Sequence, residues 1–271
     1  MKLKKVIDFI LFSNTWISIG AVSCAASAFI FYQKPIAIEF LALVFCATFF
    51  GYNLQQSSYD EIFDDRKNQS LWISNYGKVT QKLAYIILII SIILVVKIFS
   101  WENILYTIPA FVLVLFYREK RKNTFSFRSI PFFKLFVIAL VWTWTCAILP
   151  QLIYFNKVGL YYPTIIFLYI ISITIPFDKR DLSYDSKKLK TLPQLIGIKS
   201  AYLTSFIIIS FLLIIAMYFK RYFFCIYLII TILVLIPSYK IRGEYYYLFI
   251  LDGLLLLFPI FAKWNHQNLK Y

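Results

Sequence analysis

Nine long apolar runs constrain this chain of 271 residues more than any other feature. They cover roughly residues 10–32, 36–54, 83–99, 103–117, 132–150, 158–177, 201–219, 222–237 and 245–262. A helix needs about 20 apolar residues to cross a bilayer, and one soluble core cannot bury so many runs of nearly that length. With 61% hydrophobic and 15% charged residues, the sequence predicts an integral membrane protein in a lipid bilayer. We expect an all-α, polytopic helical bundle of about nine transmembrane helices, with residues 1–271 as a single domain.

The basic residues predict how the bundle is oriented. In a nine-span arrangement most of the 28 Lys and Arg residues fall on one side, which the positive-inside rule makes cytoplasmic. The N-terminus is therefore expected to be cytoplasmic and the C-terminus external, in a bacterial inner membrane. Topology also explains the net charge of +15, so no nucleic-acid partner is expected. The first run begins like a signal peptide but lacks a convincing cleavage site, and we interpret it as the first membrane helix.

Histidine and cysteine content excludes several kinds of site. The cysteines, Cys24, Cys46, Cys146 and Cys225, stand singly in separate apolar runs, and His266 is the one histidine of the sequence. Neither a CxxC pair, a zinc cluster nor a His-based catalytic triad can be assembled from them. Chemistry must therefore be sought among the carboxylates and bases.

An acidic and basic segment follows the sixth apolar run. Asp178, Asp181 and Asp185 are three and four residues apart, so their carboxylates would share one face of a continuing helix. Carboxylates clustered without His or Cys suit Mg²⁺, which is normally held by one or two carboxylates together with substrate phosphates. The bases among and after them suit the remaining phosphate charge: Lys179, Arg180, Lys187, Lys188 and Lys190. The segment is a candidate diphosphate site.

The same segment resembles a known family motif. From Asp178 to Gly197 the chain reads D-x-R-D-x-x-x-D, then K-T-L-P and a glycine, which looks like the second aspartate-rich motif of the UbiA superfamily of intramembrane prenyltransferases. A Tyr followed by bases after the fourth run is also similar to that family, here Tyr117 with Lys120 and Arg121.

The resemblance implies a bundle around a central cavity that binds an isoprenyl diphosphate donor through Mg²⁺. The prenyl group would pass to a hydrophobic or aromatic acceptor. Asp181 and Asp185 would be the catalytic residues, and together with Asp178 they would hold the metal ion. The residues implied for diphosphate contact are Arg180, Lys190, Arg121 and Lys120.

The first aspartate-rich motif of that family is degenerate here. Asn53 matches its opening residue, but the three aspartate positions that follow hold Leu54, Ser57 and Glu61. Asp60 and Asp64 supply an alternative pair about one helical turn later, and we include them as candidate metal ligands. Two hypotheses stay open: a prenyltransferase, or a non-catalytic isoprenoid-binding or lipid-binding membrane protein that has lost its first metal motif.

Two further features have both a structural and a functional interpretation. Asp252 lies within the ninth run, where an ionisable residue suggests function. A packing contact with Asn, Tyr or Lys from a neighbouring helix is the simpler interpretation. Among the aromatic residues, Trp142, Trp144 and Tyr154 are candidates for lining a cavity.

Overall fold

The computed structural model describes residues 2–56, 67–117, 133–155, 158–183, 190–240 and 242–263, and within these ranges it is helical with no β-strand. The helices are α1 (Lys2–Phe12), α2 (Thr15–Phe31), α3 (Ile38–Gln56), α4 (Lys67–Ile98), α5 (Trp101–Tyr117), α6 (Phe133–Thr143), α7 (Tyr161–Arg180), α8 (Leu192–Ile196), α9 (Ile198–Tyr218), α10 (Tyr222–Ser238) and α11 (Phe258–Lys263). Two π-helical segments follow α6, namely Trp144–Ile148 and Gln151–Phe155. A π-helical segment and a 3₁₀ helix precede α11, namely Tyr246–Leu251 and Asp252–Leu257.

Every one of the predicted apolar runs contains a helix in the described parts of the chain. Five of these helices are long and apolar enough to cross a membrane: Ile38–Gln56, Asn68–Ile98, Phe133–Phe155, Tyr161–Arg180 and Ile198–Tyr218. Helices α1 and α2 make a sixth if the bent pair is one span. Three apolar helices are shorter, namely Trp101–Leu115, Tyr222–Ser238 and Tyr246–Ala262. The all-α fold with several helices able to cross a membrane is confirmed, and the number nine stays a prediction.

Helix α2 lies at the centre of the described bundle. It contacts α1, α3, the π segment after α6, and the C-terminal helical segment Tyr246–Ala262. Its buried face is built from small side chains, among them Ala21, Cys24 and Ala28. A Cβ atom added at Gly20 would lie only 3.2 Å from the Leu255 Cβ atom. Small residues let membrane helices approach closely and gain van der Waals contact, and this sequence pattern places α2 inside the bundle.

The first apolar run is not one straight helix, and whether it forms a single membrane span stays a prediction. It divides into α1 and α2, which meet at an angle of 61°. Asn14 sits at the break with a φ of 63°. A break leaves backbone carbonyls without helical partners, and α3 supplies them: the Asn53 amide donates to the Ser13 carbonyl at 3.0 Å and the Gln56 amide to the Phe12 carbonyl at 3.1 Å. The bend is therefore stabilised from a neighbouring helix.

Helix α4 also differs from its predicted bounds, since it begins at Lys67 rather than near residue 83. The polar residues before the apolar run are helical and not a loop. Glu244 is buried and accepts hydrogen bonds at the start of α4, from the Asn68 side chain and, at 2.9 Å, from the Gln69 backbone amide. A carboxylate at a helix N-terminus satisfies orphan amides and complements the helix dipole, which explains the early start.

We predict that Asn53→Ala destabilises the protein, because the Ser13 carbonyl loses its donor. Leaving one buried acceptor unsatisfied costs about 1–3 kcal/mol. Unfolding by SDS titration in mixed micelles measures this free energy. The matched control is Asn75→Ala on the exposed surface of α4, where a change within about 0.5 kcal/mol is expected. Equal stability of the two variants would contradict the assigned role of Asn53.

Candidate functional site

A cavity of about 200 Å³ opens where the break between α1 and α2 meets α3, α6, α7 and the C-terminal helical segment. Much of its wall is polar, which is unusual inside so apolar a bundle. The polar and charged lining residues are Asn14, Gln55, Gln56, Gln69, Lys134, Thr174, Asp178, Arg180, Asp181 and Asp252. The aromatic lining residues are Trp16, Tyr52, Tyr117, Trp142 and Phe177.

Helix α7 carries the two acids to the cavity. Basic residues in its last turn suit the negative end of the helix dipole, and a 3₁₀ turn, Asp181–Ser183, follows directly. Asp178 and Asp181 lie three residues apart on one face. Both side chains are buried, with exposed fractions of 1% and 8% for the two residues. Such acids need compensating charge, because burying an unpaired carboxylate is very costly.

Two bases supply that charge from different positions. Lys134, in the first turn of α6, brings its Nζ to 2.8 Å from Asp178 Oδ1 and 3.9 Å from Asp181 Oδ2. Arg180 places its Nε 2.8 Å from Asp181 Oδ1. We call these four residues the charge cluster. Its two positive and two negative charges balance, which makes their burial possible.

Arg180 is held by aromatic rings as well as by Asp181. Its guanidinium carbon lies 5.1 Å from the centroid of the Phe177 ring and 5.2 Å from that of Tyr247. Cation–π contacts at these distances are favourable, and more so away from water. Since Tyr247 belongs to the C-terminal helical segment, Arg180 links that segment to α7.

Asp252 lines the same cavity from the C-terminal helical segment. It stands where the π-helical segment Tyr246–Leu251 passes into the 3₁₀ helix Asp252–Leu257, and such π-helical irregularities are frequent at functional sites. The ninth run therefore contributes a carboxylate to the cavity.

The predicted site residues fall into three groups. Asp178, Arg180 and Asp181 meet in the cavity. Asn53 and Lys190 do not line the cavity. Asn53 is buried, and its amide donates to the Ser13 and Phe49 carbonyls. Lys190 is exposed. The remaining candidates lie outside the described residues: Asp60, Asp64, Lys120, Arg121 and Asp185.

Of the three aromatic residues predicted to line a cavity, one does so. Trp142 lines the cavity and donates to the Tyr52 hydroxyl at 3.4 Å. Trp144 instead donates to the Tyr106 carbonyl, and Tyr154 packs on the rings of Phe29 and Phe40; neither is among the lining residues.

Sequence reasoning missed Lys134, which it assigned only to topology. The available signal was a lysine in the first turn of an otherwise apolar helix, since an ionisable residue there needs a partner. Nothing in the sequence indicated that this partner was Asp178. The amides of Asn14 and Gln69 on the cavity wall were missed too.

The donor chemistry of the cavity is compatible with a magnesium ion shared with phosphate. Across the described ranges no group of three or more His, Cys, Asp or Glu side chains could hold a metal ion. Mg²⁺, however, is usually bound through one or two carboxylates plus substrate phosphates. Asp178 and Asp181 supply two carboxylates on one cavity wall, and they fit that pattern.

Comparison with protein-family models, with curated proteins and with solved structures finds no match to this chain.

The charge cluster predicts strong energetic coupling between Lys134 and Asp178. Asp178→Asn and Lys134→Met each leave one buried charge undercompensated, which costs about 3–5 kcal/mol when a buried pair is broken. The double variant removes one charge of each sign and leaves Asp181 with Arg180. We expect it to be more stable than the sum of the single effects implies, by about 1–3 kcal/mol in a double-mutant cycle. Strict additivity in SDS unfolding would contradict the contact.

Proposed function

We propose that this chain is a UbiA-like membrane prenyltransferase, which binds an isoprenyl diphosphate and transfers the prenyl group to a hydrophobic or aromatic acceptor. One observation carries the proposal: Asp178, Asp181, Arg180 and Lys134 converge on a single cavity with aromatic walls inside an apolar helical bundle. The resemblance of the Asp178–Gly197 segment to the second aspartate-rich motif of that superfamily supports it. The proposal includes nine spans, a cytoplasmic N-terminus, an external C-terminus and a bacterial inner membrane.

The charge cluster suits a diphosphate because it offers both kinds of contact that this group requires. Arg180 and Lys134 can donate charge-assisted hydrogen bonds to phosphate oxygens. Asp178 and Asp181 are the described residues that would hold Mg²⁺, with Asp185, Asp60 and Asp64 as further proposed ligands. When bound, Mg²⁺ would neutralise charge that develops on the departing diphosphate.

The rest of the cavity suits a prenyl chain. Trp142, Tyr52 and Phe177 present aromatic rings to the cavity, and such rings stabilise cations over their faces. Ile170 and Ile173 add apolar wall on the α7 side. An allylic cation formed there would be stabilised by these rings.

The transfer itself needs one bond broken, one formed and one proton removed. The bond between the first prenyl carbon and the diphosphate oxygen breaks, and its electron pair leaves with the diphosphate. The acceptor then bonds to that carbon and loses a proton. Asp252 lines the cavity on a different helical segment from Asp178 and Asp181, and we propose its carboxylate as the group that takes this proton.

A non-catalytic isoprenoid-binding protein is the second candidate, and two observations favour it. Both described aspartates of the motif are already ion-paired with bases of the protein, and the first motif has Leu54 where the family carries an aspartate. Such a protein would bind an isoprenyl diphosphate without releasing diphosphate, and EDTA would leave its binding unchanged.

The deciding experiment measures diphosphate release from farnesyl diphosphate by the purified full-length protein, with Mg²⁺ or with EDTA and with water as the nucleophile that takes the prenyl group. We expect Mg²⁺-dependent release, reduced about 100-fold or more by Asp181→Asn, the order of loss when one electrostatic contact to the developing charge is removed. The control is Glu39→Gln, an exposed acid in the first turn of α3 outside the cavity, which we expect to match wild type.

The outcomes separate the two candidates. Binding without release, insensitive to EDTA, supports the non-catalytic protein and overturns the enzyme. Absence of any farnesyl diphosphate binding overturns both. Size-exclusion profiles of each variant ensure that a loss of release is not a loss of folding.

A further inference from the structure

Lys134 occupies an unusual position for a lysine near a predicted metal motif. Its ammonium comes from α6, whereas both of its acidic partners lie at the end of α7. The distances are 2.8 Å to Asp178 Oδ1 and 3.9 Å to Asp181 Oδ2, and only 10% of the lysine side chain is exposed. A cation of the protein thus stands between two carboxylates that share one cavity wall.

Electrostatics explains why some cation must stand there. Two buried carboxylates close together repel each other and cannot both stay ionised without a positive partner. A divalent ion is one such partner, and the Lys134 ammonium is another. The divalent ion and the ammonium would be attracted to the same two carboxylates. The Lys134 ammonium therefore weakens the binding of a divalent ion at this site.

The two bases of the cluster differ in the chemistry of their side chains. The Arg180 guanidinium is stacked on Phe177 and Tyr247 in addition to its contact with Asp181. Lys134 carries a compact charge on a flexible four-carbon stem. Rotation about the bonds of that stem would redirect the ammonium from the carboxylates to an anion in the cavity.

We propose that Lys134 is a built-in counter-ion, which holds Asp178 and Asp181 while the cavity contains no anion and turns to the diphosphate when that group binds. Divalent metal alone therefore binds weakly, and metal and diphosphate enter together. The inference rests on the proposed function only in naming a diphosphate as the arriving anion. The competition between Lys134 and a divalent ion does not depend on any turnover.

The test is a titration of the purified full-length protein with Mn²⁺ alone, following free Mn²⁺ by electron paramagnetic resonance. We expect Lys134→Met to bind Mn²⁺ about tenfold or more tightly than wild type, because a positive charge close to the ion is removed. Lys134→Arg keeps that charge and should bind as weakly as wild type. If Lys134→Met is not stable in detergent, Lys134→Gln replaces it, since its amide can still donate to Asp178.

Two controls make the result specific. Lys179→Met removes a positive charge from the same end of α7, but the Lys179 ammonium contacts the Ser238 carbonyl at 3.4 Å and is outside the cavity lining. It should leave Mn²⁺ binding unchanged. The Lys134→Met/Asp178→Asn double variant loses a carboxylate with the base, so the gain in affinity should disappear.

The result can be read separately from the proposed function. Equal Mn²⁺ affinity of wild type and the charge-removing variant, Lys134→Met or its replacement Lys134→Gln, overturns the counter-ion role, even if farnesyl diphosphate binds and reacts. A gain in Mn²⁺ affinity in Lys134→Met that Lys179→Met lacks supports the role, even if farnesyl diphosphate does not bind. In that second case the proposed function is overturned and the counter-ion role of Lys134 is supported.

Discussion

Charge balance inside an apolar bundle is the constraint on which the site depends. Among the described residues, Lys134 and Arg180 approach Asp178 and Asp181 and lower the cost of burying these carboxylates. The contact joins α6 to α7, and the stacking of Arg180 on Tyr247 joins α7 to the C-terminal helical segment. The charge cluster therefore provides charged groups to the cavity and also joins three of the helical segments that form its wall.

The backbone follows the same rule as the side chains, since polar groups within a membrane bundle must find partners in the protein. The break between α1 and α2 would leave carbonyls unpaired if Asn53 and Gln56 did not donate to them. At the start of α4, the Glu244 carboxylate accepts a hydrogen bond from the Gln69 backbone amide. These remote polar contacts allow the irregular geometry that opens the cavity beside α2.

The sequence predicts those parts of the structure that depend on local pattern. Apolar runs predict helices because burial of each run requires internal hydrogen bonds, and the spacing of Asp178 and Asp181 predicts their shared face. Contacts between distant segments could not be predicted: the pairing of Lys134 with Asp178, the donation from Asn53 to the broken helix, and the support of α4 by Glu244. Each depends on helix packing, which no local pattern records. The metal and diphosphate roles of the site residues remain predictions.

The position of α2 has a consequence for how the protein is made. Its small-residue face packs on the C-terminal helical segment, with Gly20 against Leu255, although the ribosome produces the two far apart in time. Until the later segment has been inserted, α2 lacks a principal neighbour and the cavity lacks the wall that holds Asp252. The cavity is therefore completed only after the segment Tyr246–Ala262 has been synthesised and has packed on α2, and this pairing joins parts of the chain that are far apart in sequence.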